Sequence, residues 1–249
     1  MTDRTPAGPI RLPARILAWL GGAAFVASLA YFLYFYAIRL GRPAPAGASV
    51  WTNLAIDTGL FAAFAIHHSA MARAGAKRWL TRRVPEAYER SIYVWLASLL
   101  FFGACWGWRD LPGRIYRVDG LAALPFYLAQ ATGVLVALAS ARSIDIFDLS
   151  GIRQLSHGAP AHLASSPVPG RLETGGLYRL VRHPVYMGTL LLMVATPDLT
   201  TGRLLFTALS LLYLVIGIAF EERSLREEFG VAYDAYRAKV RWRMIPGIY

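Results

Sequence analysis

The feature that most constrains this chain is a series of long apolar runs. Four of them approach or reach the length of a membrane span, and they cover residues 16–38, 50–68, 91–108 and 121–141. A helix needs roughly 20 apolar residues to cross about 30 Å of hydrocarbon, because each residue adds about 1.5 Å. Runs of this length and number predict a chain that folds inside a bilayer.

The last third of the chain carries two further apolar runs with a polar turn between them. The first, at residues 185–195, is too short to cross alone and stops before Pro197, and the second covers residues 204–220. We interpret the two as a helical hairpin. Aromatic and apolar residues then recur at helical spacing through residues 225–240, which predicts an amphipathic C-terminal helix.

The predicted fold class is therefore all-α integral membrane. It has about six transmembrane segments, of which the last two form the helical hairpin, and the amphipathic C-terminal helix follows them. We expect a single membrane-embedded domain over residues 1–249. Within it, residues 145–176 are rich in glycine and proline and predict an irregular cytoplasmic loop, and residues 177–249 form the hairpin and tail.

The composition agrees with a membrane protein and excludes several other classes. Hydrophobic residues make up 56% and charged residues 16% of the chain, whereas soluble domains carry about 25% charged residues. The net charge of +11 would suit a nucleic-acid binder, but the basic residues lie in clusters between apolar runs, so we predict no nucleic-acid partner. Cys105 is the only cysteine, which excludes an intramolecular disulfide and a multi-thiolate zinc site.

The distribution of basic residues predicts the orientation. With six crossings, 20 of the 26 Lys and Arg residues lie on the side that holds both termini. The positive-inside rule makes that side cytoplasmic. We therefore predict a bacterial-type inner membrane protein with cytoplasmic N- and C-termini. A basic amphipathic stretch at residues 77–84 fits either binding to anionic headgroups or simple topological anchoring.

Two polar side chains interrupt one face of the second apolar run. Asp57 and His68 are separated by steps of 4, 3 and 4 residues, so both should point into the bundle. The Asp57 carboxyl is either satisfied by backbone or by Asn53, or it belongs to a site. His67 and His68 are adjacent and point about 100° apart, so they cannot easily share one metal ion, and we predict no metal site.

Charged and aromatic side chains gather at both ends of the predicted hairpin. Arg182 and His183 precede Pro184, whose fixed φ suits the first turn of a helix. Glu221 and Glu222 follow the second run directly. Because a hairpin returns to the leaflet it left, the two sets should converge. They either anchor the protein at the interface or bind a zwitterionic, partly aromatic ligand.

The same residues carry a resemblance to a known group of enzymes. The chain resembles the isoprenylcysteine carboxyl methyltransferase superfamily in Arg182-His183-Pro184 with Tyr186 and Gly188, in Glu221-Glu222, and in Phe229-Gly230 with Tyr233 and Tyr236. Residues 68–73, 88–93, 147–154 and 195–200 resemble one branch of it, the bacterial methanethiol S-methyltransferases and their NnrU-like relatives. The chain departs from the family pattern in its tail, where Arg241-Trp242-Arg243 follows Val240 in place of a proline.

This resemblance implies a membrane methyltransferase whose cofactor is S-adenosyl-L-methionine. It implies a small thiol substrate, with methanethiol converted to dimethyl sulfide, and a lipid bilayer as surroundings. Residues 177–249 would bind the cofactor. The resemblance implies His183 and Tyr186, with Glu221 or Glu222, as pocket residues, and we extend the pocket to Tyr178 and Arg182.

A thiol acceptor must lose its proton, because the thiolate is the nucleophile. By residue type, the candidate catalytic groups are His183, Glu222 and His68, with Asp57 as a further possibility. His183 ranks first because the unperturbed pKa of histidine is near neutrality.

Three other functions are compatible with the sequence. The first is a methyltransferase that acts on a lipid or a prenyl-cysteine. The second is an NADPH-dependent membrane reductase, which would need a further basic cluster for the 2′-phosphate. The third is a non-enzymatic NnrU-like membrane protein.

Overall fold

The structure is a computed structural model that describes residues 12–45, 47, 49–71, 73–141 and 172–249. Within these residues, four helices are long and apolar enough to cross a membrane, and they are Arg15–Arg39, Tyr88–Gly107, Gly120–Ala141 and Thr201–Phe229. The prediction of a helical membrane protein is therefore confirmed, and the count of six crossings stays a prediction. Residues 145–171 of the predicted loop lie outside the described residues.

The helices follow the apolar runs closely. The first half of the chain forms α1 (Leu12–Tyr34), a π-helical turn (Phe35–Arg39), α2 (Val50–Met71), α3 (Ala74–Thr81), α4 (Glu86–Gly107) and α5 (Leu124–Ala141). The second half forms α6 (Pro184–Val194), α7 (Thr201–Phe229) and α8 (Val231–Lys239). Turns of 3-10 helix at Gly120–Ala123 and Gly176–Arg179 precede α5 and α6.

Two runs differ from a simple membrane span. Helix α6 has only 11 residues, as its short apolar run predicts. Helix α2 is 22 residues long but carries Asp57 and two histidines, and it is not among the four spanning candidates.

The amphipathic tail helix begins later than the sequence predicts. Helix α7 continues past the two glutamates to Phe229, and it ends at Gly230, whose φ is +51°. Residues with a side chain rarely adopt a backbone conformation with positive φ, so a glycine suits the break between α7 and α8. Leu225 and Phe229 therefore belong to α7, and the amphipathic helix is α8 alone, which buries Tyr233 and Tyr236.

A short antiparallel sheet, absent from the sequence prediction, joins the α4–α5 connection to the α6–α7 turn. Strand β1 (Arg114–Arg117) pairs with β2 (Asp198–Thr200). The predicted polar turn is thus a strand followed by a capped helix, because the Thr200 hydroxyl accepts from the Arg203 N–H at 3.2 Å. Segments this short carry no clear alternating pattern, which is why the sequence did not predict them.

An aromatic cluster between α1, α2, α4 and α7 forms the main core. Its buried aromatic members are Phe32, Phe35, Tyr36, Phe61, Trp108 and Phe206. The ring centroids of Phe206 lie between 5.2 and 6.2 Å from those of five neighbours, a range typical of favourable aromatic pairs. This core fixes α7 against the first half of the chain.

Asp57 lies at the end of the bundle where α4 finishes. Its Oδ1 accepts the Arg109 N–H at 2.7 Å. Asn53 donates instead to the Asp110 carbonyl oxygen at 3.0 Å. Asp57 Oδ1 is therefore bonded to backbone, as one alternative predicts, whereas its buried Oδ2 has no hydrogen-bond partner among the described residues.

Helices α5 and α6 approach so closely that their backbones meet at two glycines. A Cβ on Gly133 would lie 2.6 Å from the Gly188 carbonyl oxygen, and a Cβ on Gly188 would lie 2.5 Å from the Gly133 carbonyl oxygen. Small residues commonly permit such approach between membrane helices. Gly188 of the signature therefore sets the position of α6 and of His183 at its N-terminus.

Gly188→Ala is expected to lower stability, because the added Cβ meets backbone atoms that cannot rotate away. Overpacking of this kind costs about 1–3 kcal/mol. Thermal unfolding in detergent measures it. The matched control is Gly217→Ala on α7, where an added Cβ has no neighbour within 4 Å and should change the Tm little. Equal melting temperatures for the two variants would contradict the prediction.

Candidate functional site

The α6–α7 hairpin brings five predicted site residues together at its open end. We call this cluster the mouth, and its members are Arg182, His183, Tyr186, Glu221 and Glu222. Arg182 Nε donates to Glu222 Oε1 at 2.6 Å, and the two side chains are only 5% and 8% exposed. Burying an ion pair is costly unless its geometry is good and further hydrogen bonds satisfy both groups.

The C-terminal tail supplies those further bonds. Arg182 Nη1 donates to the carbonyl oxygens of residues 240–241, each at 2.7 Å. The Arg182 N–H donates to the Trp242 carbonyl at 2.9 Å, and the His183 N–H donates to the Arg243 carbonyl at 2.8 Å. The tail is therefore hydrogen-bonded along the entrance to α6.

Arg243 completes the surroundings of Glu222. Its Nε lies 3.2 Å from Glu222 Oε2, so each carboxylate oxygen of Glu222 faces a guanidinium group. Arg243 Nη1 also donates to the Tyr249 hydroxyl at 2.9 Å, and its guanidinium lies 5.1 Å from the centroid of that ring. These contacts hold Arg243 in place at the edge of the mouth.

His183 lies between the two glutamates. Its Nδ1 is 3.4 Å from Glu221 Oε2, and its Nε2 is 3.5 Å from Glu222 Oε1. Burial lowers the pKa of His183, but hydrogen bonding and attraction to both carboxylates outweigh burial and raise the pKa to about 9. His183 therefore carries a positive charge at neutral pH.

Tyr186 bonds to the other glutamate from the first turn of α6. Its hydroxyl donates to Glu221 Oε2 at 2.8 Å. Its ring stacks on His183, with centroids 5.5 Å apart and an angle of 7° between the planes. Glu221 is the more exposed of the two glutamates, with a third of its side chain accessible.

Tyr178 lies beside the mouth in an aromatic cluster with Tyr233 and Tyr236. The Tyr236 hydroxyl donates to the Tyr178 carbonyl at 2.7 Å. Burial, followed by the negative charge of Glu221, raises the pKa of Tyr178 to about 12, so its phenol stays protonated. The Tyr233 hydroxyl is buried and has no hydrogen-bond partner in the described part of the chain.

A cavity of about 590 Å³ opens between α8 and the tail, next to the mouth. It is lined by Arg182, Asp234, Arg237, Ala238, Arg241, Trp242, Arg243, Ile248 and Tyr249. Four guanidinium groups, a carboxylate and an indole ring thus surround one space. Such walls can bind an anion, a cation and an aromatic ring at the same time.

His68 belongs to a neighbouring cluster on α2, α4 and α7. Its Nδ1 lies 3.0 Å from the Tyr93 hydroxyl, and its ring lies edge-on to Tyr213, with centroids 6.4 Å apart. Tyr213 lies eight residues before Glu221 on α7. Of the three candidate catalytic groups, His183 and Glu222 therefore meet at the mouth, whereas His68 lies in this separate cluster.

Four residues of these clusters were not predicted from the sequence. Trp242 and Arg243 lie in the tail that departs from the family pattern, and that departure was the available signal. Tyr93 ends one of the segments that carried the resemblance. Tyr213 lies within an apolar run, where its spacing from Glu221 could have identified it.

Arg182→Gln is expected to destabilise the protein strongly, because it leaves Glu222 and two tail carbonyls without their main donor. Breaking a buried pair in this way costs about 3–5 kcal/mol. The matched control is Arg223→Gln, which breaks an exposed pair with Glu227 and should cost less than about 1 kcal/mol. Denaturant unfolding in detergent compares the free energies of unfolding of the two variants. An equal loss of unfolding free energy in both would refute the structural role of Arg182.

The raised pKa of His183 predicts how stability depends on pH. Its folded pKa of about 9 exceeds the ordinary value of 6.5, so its contribution is complete below pH 6.5 and is lost as the pH rises through 9. At about 1.4 kcal/mol per unit, the contribution is on the order of 3 kcal/mol. Melting of the wild type and His183→Gln between about pH 6 and pH 10 tests this. The difference in Tm between the wild type and His183→Gln should become smaller as the pH rises. A difference in Tm that stays constant with pH would contradict the prediction.

Comparison with known proteins identifies the family. No family model matches the chain. Methanethiol S-methyltransferase 2 of Bradyrhizobium diazoefficiens is 38% identical over 238 residues, which cover 92% of this chain and 89% of the relative. The methanethiol S-methyltransferase of Mycobacterium tuberculosis is 39% identical, covering 79% and 78%. Nurim of Mus musculus is 28% identical, covering 72% and 70%. The predicted resemblance is confirmed: the chain belongs to the methanethiol S-methyltransferase family.

Proposed function

We propose that this protein is a membrane methyltransferase that uses S-adenosyl-L-methionine to convert methanethiol to dimethyl sulfide. The observation that carries the proposal is the mouth, where Arg182, His183 and Tyr186 converge on Glu221 and Glu222 beside a basic, aromatic-walled cavity. Membership of a family whose relatives are named for methylating methanethiol supports the thiol as acceptor.

The cavity walls fit the chemical groups of S-adenosyl-L-methionine. Its carboxylate suits the guanidinium groups of Arg241 and Arg243, which can bind a carboxylate with two parallel hydrogen bonds. Its ammonium suits the Asp234 carboxylate, and its adenine suits the face of Trp242. The cavity thus offers a partner for each end of the molecule.

One buried polar atom also points to a ligand at this place. The Tyr233 hydroxyl has no hydrogen-bond partner among the described residues. Buried polar groups in proteins are nearly always bonded to protein, water or ligand. A polar ligand at the mouth would satisfy this hydroxyl.

When bound, S-adenosyl-L-methionine supplies an electrophilic methyl group on a sulfonium cation. Glu221 is the partly exposed carboxylate of the mouth and would face that cation, with the Tyr186 ring beside it. Methyl transfer is an in-line displacement, in which positioning supplies much of the rate. Arg182 and His183 hold the two carboxylates in place, so we assign both a positioning role.

The membrane location would give the two substrates different routes to the site. The excess of Lys and Arg supports a bacterial-type inner membrane with both termini cytoplasmic. The polar donor would then enter the cavity from the cytoplasm. Methanethiol is small and apolar and would enter through the bilayer between the helices.

The purified protein should convert methanethiol and S-adenosyl-L-methionine with a deuterated methyl group into labelled dimethyl sulfide, detected in the headspace by mass spectrometry. Glu221→Gln should weaken S-adenosyl-L-methionine binding by about 10-fold or more, since a charged partner contributes about 1.5–3 kcal/mol. Calorimetric titration measures that binding. Glu227→Gln, at an exposed position of the same helix, is the matched control.

The outcomes separate the parts of the proposal. Binding of S-adenosyl-L-methionine without labelled product would exclude methanethiol and direct attention to a lipid or prenyl-cysteine acceptor. Absence of binding would exclude S-adenosyl-L-methionine as the methyl donor. Equal affinities for Glu221→Gln and Glu227→Gln would exclude the mouth as the donor site.

A further inference from the structure

The connection between α2 and α4 carries a positively charged surface that the proposed function does not use. We propose that this surface binds the phosphate groups of anionic phospholipids in the adjacent membrane leaflet. We call it the basic patch, and its members are Arg73, Arg78, Trp79, Arg82 and Arg83. Of the two interpretations of residues 77–84, the structure thus favours headgroup binding over simple anchoring.

The basic patch has no negative charge of its own. Residues 73–85 contain five basic residues and no acidic residue. The guanidinium groups of Arg73, Arg78, Arg82 and Arg83 are exposed, and none of them forms an ion pair within the described part of the chain. Clusters of about four to eight basic residues next to a membrane span are typical of surfaces that bind anionic lipids.

Helix α3 turns the patch away from the protein. Leu80 is buried against the bundle, with 8% of its surface exposed. Arg78 and Arg82 lie two residues before and after it, so they point about 200° away from Leu80 around the helix axis. The helical turn continues past the end of α3, because the Arg83 N–H donates to the Leu80 carbonyl at 2.9 Å. The folded backbone therefore gathers the charges on one outer surface.

Two aromatic rings hold guanidinium groups of the patch in place. The guanidinium carbon of Arg83 lies 4.4 Å from the centroid of the Trp79 ring, and that of Arg73 lies 4.3 Å from the centroid of the Phe220 ring. Both distances are within the range of cation–π contacts. A guanidinium that packs over a ring keeps N–H groups along its edge, and that edge can bind two oxygens of a phosphate.

The position of the patch favours a lipid over an acidic protein as its partner. The patch lies in the short connection between α2, which ends at Met71, and α4, which begins at Glu86. Its contact with Phe220 places it at the same end of α7 as the mouth. Trp79 is 54% exposed, and an exposed indole next to membrane helices is typical of the boundary between hydrocarbon and headgroups. Arginines at that level meet lipid phosphates.

The test measures lipid binding to the detergent-purified protein by native mass spectrometry. The protein is titrated with phosphatidylglycerol and with phosphatidylcholine of the same acyl chains, and the wild type should bind phosphatidylglycerol at least about 10-fold more tightly. The double variant Arg82→Gln, Arg83→Gln should lose about 30-fold in affinity for phosphatidylglycerol, since each basic residue near an anionic surface contributes about 1 kcal/mol. Its affinity for phosphatidylcholine should not change.

Two further variants control for net charge and for folding. Arg223→Gln with Arg226→Gln removes the same two charges from α7, where each guanidinium is already paired with a carboxylate. This variant should lose less than about 3-fold. Arg82→Lys with Arg83→Lys keeps both charges of the patch and should lose less than about 5-fold.

The purified protein is already folded, so a patch that serves only to orient the chain during insertion predicts equal affinities for the two lipids. Equal affinities would overturn the inference. So would an equal loss in the α7 variant, or a loss in the lysine variant as large as that in the glutamine variant. Displacement of phosphatidylglycerol by an equal concentration of inorganic phosphate would assign the patch to the free anion and overturn the lipid assignment. None of these outcomes depends on the proposed function, because neither substrate is present.

Discussion

The buried ion pair between Arg182 and Glu222 is the interaction on which the site depends. It joins the start of α6 to the C-terminal part of α7, and its guanidinium also bonds to the tail carbonyls. Because neither charge could stay buried alone, the pair requires the hairpin, the tail and the second guanidinium of Arg243 to assemble together. The mouth, the cavity beside it and the position of His183 all follow from that assembly.

The close approach of α5 and α6 also fixes the position of α6, and with it the position of the mouth. Gly133 and Gly188 let two helix backbones meet, so α6 is held with little freedom to slide or rotate. Small shifts at a reaction centre are costly in rate, and a rigid α6 keeps His183 and Tyr186 in register with the glutamates of α7. The signature arginine, histidine, tyrosine and glycine thus act as one structural unit.

Much of this arrangement was predictable from sequence, and the exceptions have physical reasons. The apolar runs give α1, α4, α5 and α7, because hydrophobic length is a strong signal, and the hairpin topology brings Arg182 and His183 to Glu222. The two short strands were not predictable, since three or four residues show no periodicity.

The remaining site residues were hidden for another reason. Arg243 and Trp242 reach the site only because the tail folds back over α6, a long-range event without a local pattern. Tyr93 and Tyr213 lie in spanning runs where an aromatic residue usually means packing. The role of each tyrosine depends on the neighbouring side chains that only the folded structure brings together.

A structure of the protein in lipid nanodiscs with S-adenosylhomocysteine bound tests the central claim most directly. The account predicts the ligand in the cavity between α8 and the tail, with its carboxylate against the tail arginines and its sulfur directed to Glu221 and Tyr186. A ligand bound elsewhere, with the Arg182–Glu222 pair intact and this cavity free of it, would contradict the account.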